Sequence, residues 1–343
     1  MDLKSRIEAF SKLAVVLNEF LENESSNNRL KNALDQASNM NPWFIREFEL
    51  LAIQNIIPWL NKDELISWTS KYCCEIPAAN VGIVMAGNIP LVGFHDFLST
   101  VICGHHAFIK MSGKDKFLLP VIIDLLKEIE PEFEEKITIT GEIPETIDAL
   151  IATGSNNTAR YFEYFYKDIP KIIRKNRSSV AVLTGEESDE DYQLLAKDIC
   201  TYFGLGCRNV SKLYIPSVDV LKKVEQALSN YNWLINNAFY ASNLKFQKAR
   251  FHTVEKEFVD GGNVLFVEET DFHSPVGVVN YEVYNSLEEV EKNIRFFEEN
   301  IQCNVGKYLE NSVPLGSTQQ PDLQDYADGI NTLEFLVKLP AGA

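Results

Sequence analysis

The feature that most constrains this chain begins at Ala79, where the apolar pattern changes from helical spacing to short continuous runs set off by turn residues. Val81-Gly-Ile-Val-Met-Ala86 is an apolar run of strand length, Gly87-Asn88-Ile89-Pro90 is a turn, and residues 92–103 return to helical spacing until Gly104 stops them. The cycle then repeats, predicting a strand at 107–110, a helix at 114–129, strands at 136–140 and 148–152, and a helix at 156–167. Strands that alternate with helices need crossover connections, and crossovers place the strands parallel with helices on both faces of the sheet. After a change near residues 174–179 the pattern resumes with a strand at 180–183. A capping box, Ser188 with Asp191, opens a helix lined by Tyr192, Leu195, Ile199 and Tyr202, and Gly204 ends it. Further strands are expected at 212–215 and 276–281, and Ser286 with Glu289 opens a helix running to Asn300. Residues 313–327, rich in Pro, Gln and Asp, read as a segment running over the surface.

Upstream of Ala79 the chain is helical over residues 1–72, starting with an amphipathic helix that carries Ile7, Phe10, Leu13, Leu17 and Leu21 on one face. A length of 343 residues allows two packed domains. The net charge of −17 argues against a surface that coats nucleic acid or an anionic membrane. No run of 18 apolar residues is present, so no membrane span is expected, and the charged N-terminus lacks the apolar core of a secretion signal. Six cysteines without framework spacing suit a reducing cytoplasm. The five histidines show no ligand spacing, and no metal site is expected.

Four elements have the residue types for chemistry. Cys207, in Phe203-Gly-Leu-Gly-Cys-Arg208, follows a helix stop and precedes a strand; two glycines let a ligand approach the backbone, and Arg208 would favour a thiolate. Taken alone, a cysteine in such a chain is more often a small buried hydrophobe. Thr153-Gly154-Ser155 follows a strand and opens a helix, which suits a pyrophosphate, although an isolated Ser at position 155 is more often an ordinary N-cap. Lys110-Met-Ser112-Gly113-Lys114 lies at the carboxyl end of a strand, where ligands of open α/β sheets collect; the bland alternative is a solvated loop. Asn88 is either an amide aimed at a developing oxyanion or a turn asparagine.

In order along the chain, these pieces resemble the aldehyde dehydrogenase superfamily. Residues 81–90 look like the strand leading to that family's Pro-Trp-Asn-Phe-Pro turn, with Asn88 in the asparagine position. Phe108-Ile-Lys-Met-Ser112 looks like its Lys-Pro-Ser segment, Thr153-Gly-Ser155 like its Phe-Thr-Gly-Ser motif, and Cys207 like its nucleophile. Asp271-Phe-His-Ser-Pro-Val276 resembles its Glu-x-Phe-Gly-Pro-Val, with Asp271 at the acid that holds the nicotinamide ribose. Ala86-Gly-Asn-Ile-Pro-Leu-Val and Gly316-Ser-Thr-Gln-Gln-Pro-Asp-Leu-Gln-Asp-Tyr-Ala-Asp-Gly329 are similar to the LuxC type of fatty acyl-CoA reductase.

The resemblance implies an α/β fold of aldehyde-dehydrogenase type: a helical N-terminus with a Rossmann-type cofactor domain over 1–175, an α/β catalytic domain over 176–310, and a C-terminal segment over 311–343 with a role in oligomerisation. It implies reduction of a fatty acyl-CoA to an aldehyde through a thioester on Cys207, with Asn88 as oxyanion donor. The cofactor would be held by Lys110, Ser112, Gly113, Lys114, Gly154, Ser155 and Asp271. Gly113 and Lys114 replace the acid that grips the adenosine ribose, which favours a 2′-phosphate and hence NADPH. Lys171-Ile-Ile-Arg-Lys-Asn-Arg-Ser-Ser179 contains no carboxylate where hydrolytic members carry a general base, so a thioester would await a hydride or a thiol rather than water. Ala159 stands where a glycine is common in the cofactor helix. Expected partners are the acyl-CoA substrate, an acyl-activating synthetase and further copies of the chain. Rival readings are an acyl-phosphate (semialdehyde) reductase, an acyltransferase, and a non-catalytic partner-binding subunit. Phe94, Phe97, Phe162 and Phe165 read as core, with an acyl tunnel as the alternative.

Overall fold

Asp2 accepts a hydrogen bond from the Ser5 N–H and so caps the first helix, α1 (Leu3–Glu22). Its apolar face is the one the spacing marks: Ile7, Phe10, Leu13, Leu17 and Phe20 are buried. The computed structural model describes residues 1–74, 76–154 and 156–339. Helices α2 (Asn28–Met40), α3 (Arg46–Ile56) and α4 (Lys62–Thr69) complete the helical N-terminus. The chain then alternates: β1 (Asn80–Val84), α5 (Phe94–Ile102), β2 (His106–Lys110), α6 (Leu118–Ile129), β3 (Ile137–Ile139), β4 (Ala149–Thr153), α7 (Asn156–Phe165) and β5 (Lys171–Arg174). The five strands form one parallel sheet in the order β3-β2-β1-β4-β5. Connections from β1 run outward through β2 to β3, whereas β4 returns to the other side of β1. That reversal opens a crevice at the carboxyl ends of β1 and β4.

Two units divide the chain, Met1–Lys175 with Asp322–Ala343, and Asn176–Pro321. The second begins with β6 (Ser178–Val182) and α8 (Asp189–Cys200), whose start has the full capping box of Ser188 and Asp191. It continues through β7 (Val210–Ile215), α9 (Val220–Leu228), α10 (Ala238–Thr253), β8 (Val259–Asp260), β9 (Leu265–Glu268), β10 (Val278–Val283), α11 (Leu287–Phe296) and β11 (Ile301–Val305). Its six-stranded sheet has the order β11-β6-β7-β10-β9-β8, with only the β8–β9 pair antiparallel. The last helix among the described residues is α12 (Thr332–Val337), which belongs to the first unit.

The first unit is locked by buried polar side chains as well as by its core. Arg6 donates to the carbonyls of Met1, Ile102 and Cys74, tying α1 to the end of α5 and to the segment entering β1. Arg174, at the end of β5, pairs with Asp96 of α5 and donates to the Thr332 hydroxyl at 2.8 Å. Arg174 lies in the carboxylate-free stretch, so that part of the stretch carries a structural cation.

Three departures from the sequence reading have local causes. Residues 114–117 stay outside α6 because the Asp115 carboxylate is captured by the Leu91 N–H at 3.0 Å, fixing a loop instead of a helical turn. The helix opened by Ser286 stops at Phe296, and residues 301–305 form β11 against β6. Within residues 313–327, Leu315, Thr318 and Gln319 are buried rather than on the surface. Among the four phenylalanines, Phe94 and Phe97 are fully buried, Phe162 is buried, and Phe165 is exposed.

Candidate active site

In the first unit the candidate cofactor residues line the carboxyl edge of the sheet. Strand β1 hands over to a loop whose first bond, Met85 N–H to the Lys110 carbonyl at 3.0 Å, ties it to the end of β2. Gly87 is required there: a Cβ at this position would lie 2.5 Å from the Ser112 Oγ. The two loops therefore touch, with Asn88 half-buried in one and Ser112 half-buried in the other. Leu91 adopts φ 57°, a strained left-handed turn held by the Asp115 carboxylate. Asp115 is buried, and burial pushes its pKa up to about 6.

The β2 exit loop is braced from outside the sheet. Asn41, at the end of α2, donates to the Lys114 carbonyl at 3.1 Å, and the Ser112 hydroxyl accepts from the Lys114 N–H at 3.2 Å. Lys110 remains half-buried while Gly113 and Lys114 are exposed, and nothing lies within 4 Å of where a Gly113 Cβ would stand. At the end of β4, a Cβ on Gly154 would meet the Thr158 side chain at 2.9 Å, so glycine is what lets that side chain approach. Ser155 lies outside the described residues.

In the second unit, Cys207 sits in a loop whose conformation the neighbouring residues dictate. After α8 the chain turns through three consecutive left-handed residues, Tyr202 (φ 53°), Phe203 (φ 56°) and Gly204 (φ 74°). Two of these are not glycine, and such strain persists only where packing over-determines it. Phe203 is buried against the rings of Tyr240 and Trp233, at 5.4 and 6.4 Å. Asn209, also buried, accepts from the Gly206 N–H and donates to the carbonyls of Asp198 and Thr201. The Ser179 hydroxyl donates to the Cys207 carbonyl at 2.9 Å. With its backbone held in this way, the Cys207 side chain is exposed.

Arg208, next in the chain, braces a further segment. Its Nε donates to the Thr318 carbonyl at 2.5 Å, so it serves to anchor residues 316–319. Asp198 anchors the same segment from α8, accepting from the N–H groups of Gly316 and Thr318 and from the Thr318 hydroxyl. Burial raises the Asp198 pKa while these three donors oppose the rise. The Gly316-Ser-Thr-Gln run is thereby part of the scaffold behind the nucleophile loop.

Asp271 lies just before β10, two strands from β6 across β7. Its carboxylate is exposed, and the loop beneath it is pinned residue by residue. Lys212 Nζ, fully buried, donates to the Thr270 carbonyl at 2.6 Å, pairs with Glu282, and lies over the rings of Tyr214 and Phe272. Asn280 donates to the carbonyls of Asp271 and His273, and Ser211 to that of Phe272 at 2.9 Å. Ser211 also reaches the Ser179 carbonyl at 3.4 Å. Ser179, Ser211, Lys212 and Asn280 thus connect the Cys207 and Asp271 loops along the amino edge of one sheet. Sequence reasoning missed all four; polar residues at the start of otherwise apolar strands were the available signal.

No group of three or more His, Cys, Asp or Glu able to hold a metal occurs among the described residues, and no helix there is long and apolar enough to cross a membrane.

A family model described as acyl-CoA reductase (LuxC) matches residues 7–243. The long-chain acyl-protein thioester reductase of Aliivibrio fischeri is 22% identical over 219 residues, covering 58% of this chain and 45% of the relative. A second relative, long-chain acyl-protein thioester reductase 2 of Photobacterium leiognathi, is 21% identical over 213 residues, covering 57% of this chain and 44% of the relative. The match spans less than half the length of each. Among solved structures, aldehyde dehydrogenase 21 of Physcomitrella patens has a TM-score of 0.73 at 13% identity, covering 98% of this chain and 84% of that one. Betaine aldehyde dehydrogenase of Staphylococcus aureus gives 0.65 at 11% identity, covering 89% and 71%. These likenesses establish an aldehyde-dehydrogenase-like fold with a Rossmann-like domain, and since the family match covers more than half of the chain, it belongs to the acyl-CoA reductase (LuxC) family.

Proposed function

We propose that this protein reduces a fatty acyl thioester to the aldehyde through an acyl-enzyme on Cys207. The observation that carries the reading is the Cys207 loop: an exposed thiol on a backbone held by Asn209 and Ser179, in a chain of this family. Cys207 attacks the thioester carbonyl, and its own N–H stabilises the oxyanion; the sequence resemblance alone assigns the Asn88 amide as a second donor. Removing one such donor costs roughly 3 kcal/mol of transition-state stabilisation. The donor thiol leaves, and the acyl group stays on sulfur because no carboxylate in residues 171–179 activates water.

The carboxyl edge of the first sheet fits a nicotinamide dinucleotide. It combines the β1/β4 crevice, open space at Gly113, and the lysines at 110 and 114. Lys110, Ser112, Gly113, Lys114, Gly154 and Ser155 would hold the cofactor there, with Asp271 assigned to the nicotinamide ribose. Lys114 favours the 2′-phosphate of NADPH. When bound, the reduced nicotinamide supplies the hydride that releases the aldehyde.

Cys207→Ala tests the mechanism in an assay of acyl-CoA-dependent NADPH oxidation. Loss of turnover is expected, and undiminished turnover overturns the reading. The names of the curated relatives favour a second donor, an acyl-protein thioester, over acyl-CoA. Offering both donors to the enzyme and comparing kcat/KM decides between them.

A further inference from the structure

We propose that His273 is the proton donor to the departing thiol when Cys207 is acylated. The proposal rests on the acyl-enzyme reading above and adds a group that it lacks. Expelling a thiol from a thioester leaves a thiolate, and an alkyl thiolate departs more readily if a proton reaches its sulfur as the bond breaks. An imidazole is the side chain suited to give that proton near neutral pH.

Three observations place His273 for the task. It is exposed, in the loop entering β10, and its imidazole makes no hydrogen bond among the described residues. Its position is held through the backbone: the Asn280 amide donates to the His273 carbonyl at 3.3 Å and to the Asp271 carbonyl at 2.8 Å. The loop also shares an edge with the nucleophile. Ser179 carries the Cys207 carbonyl, Ser211 touches the Ser179 and Phe272 carbonyls, and Phe272 adjoins His273. Cys207 and His273 therefore lie in neighbouring loops, before the amino ends of β7 and β10, which are adjacent parallel strands.

The step balances without a further reactant. The Cys207 thiolate forms the new C–S bond and the donor's C–S bond breaks. The imidazolium N–H passes its proton to the departing sulfur, leaving a neutral imidazole that regains a proton from water. Products are the acyl-Cys207 enzyme and a free thiol.

The test uses His273→Ala and omits nicotinamide. Acylation of Cys207 is followed by mass spectrometry with two thioesters of one acyl chain, an acyl-CoA and an aryl thioester whose acidic thiol leaves without a proton. For the variant, acylation by acyl-CoA should slow on the order of 100-fold. The aryl thioester should react at nearly the unsubstituted rate, and added imidazole should restore acylation by acyl-CoA. Equal rates for the variant and the unsubstituted protein with both thioesters overturn the proposal, as does equal slowing with both and no imidazole rescue. If the unsubstituted protein is acylated by neither thioester, the acyl-enzyme reading itself falls, and this proposal with it.

Discussion

Glu49 and Asp115 are buried carboxyl groups of the first unit, and burial raises both, Glu49 to about 7 and Asp115 to about 6. The Ser38 hydroxyl donates to Glu49, and the two carboxyls repel one another when charged. Folded-state values above the ordinary 4.5 and 3.8 mean that the folded protein holds more protons than the unfolded chain in the window between. Stability therefore falls as pH rises from about 4 to about 7. Glu49→Gln removes the charge and keeps an acceptor for Ser38. It should leave stability nearly unchanged at pH 4 and raise it at pH 8, by an amount bounded at roughly 3 kcal/mol and read as a higher melting temperature at pH 8 only. An equal effect at the two pH values would show that burial of charge is not the cause. None of this was legible in the sequence: the helical pattern of residues 1–72 does not mark Glu49 as buried, and Asp115 stands there as one polar residue of an expected helix.

At the scale of elements, the chemistry rests on loops braced by side chains from other elements. The nucleophile loop is the clearest case. Gly204 and Gly206 were visible as places where backbone can turn, and Cys207 as a residue between a helix and a strand. Invisible were the left-handed Tyr202 and Phe203, since neither residue type favours that conformation and only packing on Tyr240 and Trp233 holds it. Also invisible was the partnership of Asp198 with residues 316 and 318, which lie far along the chain. Asp198→Ala would strand the Gly316 and Thr318 donors in a buried place, costing roughly 2–4 kcal/mol. Urea unfolding should report that loss, and alkylation of Cys207 by iodoacetamide should change in rate as its scaffold loosens. Unaltered values for both would mean that residues 316–319 do not support the loop.

At the scale of the molecule, the chain passes from the first unit to the second after Lys175 and returns at Asp322. The returning segment completes the first unit. Leu333 and Leu336 are fully buried, Tyr326 accepts from the Trp68 indole N–H, and Asn331 donates to the Tyr72 hydroxyl. Ending the chain after Pro321 removes these contacts and leaves Arg174 without its Thr332 partner. Burial of two leucines alone contributes about 3–6 kcal/mol. The truncated protein should melt at a clearly lower temperature by calorimetry, and an unchanged melting curve would show that the segment does not stabilise the unit.

What the sequence determined by itself was the class of architecture and the order of the candidate residues. Strand and helix periodicities are local, and so are caps such as Ser188 with Asp191 and stops such as Gly204, so they can be read without the fold. Only tertiary structure decided that the strands sort into two sheets, that residues 316–319 lie buried behind the nucleophile loop, and that Ser179, Ser211, Lys212 and Asn280 join the loops of Cys207 and Asp271. Those features depend on which buried polar group finds which partner. A partner distant in sequence can satisfy a carbonyl or carboxylate as well as a near one can, and only packing in three dimensions selects it.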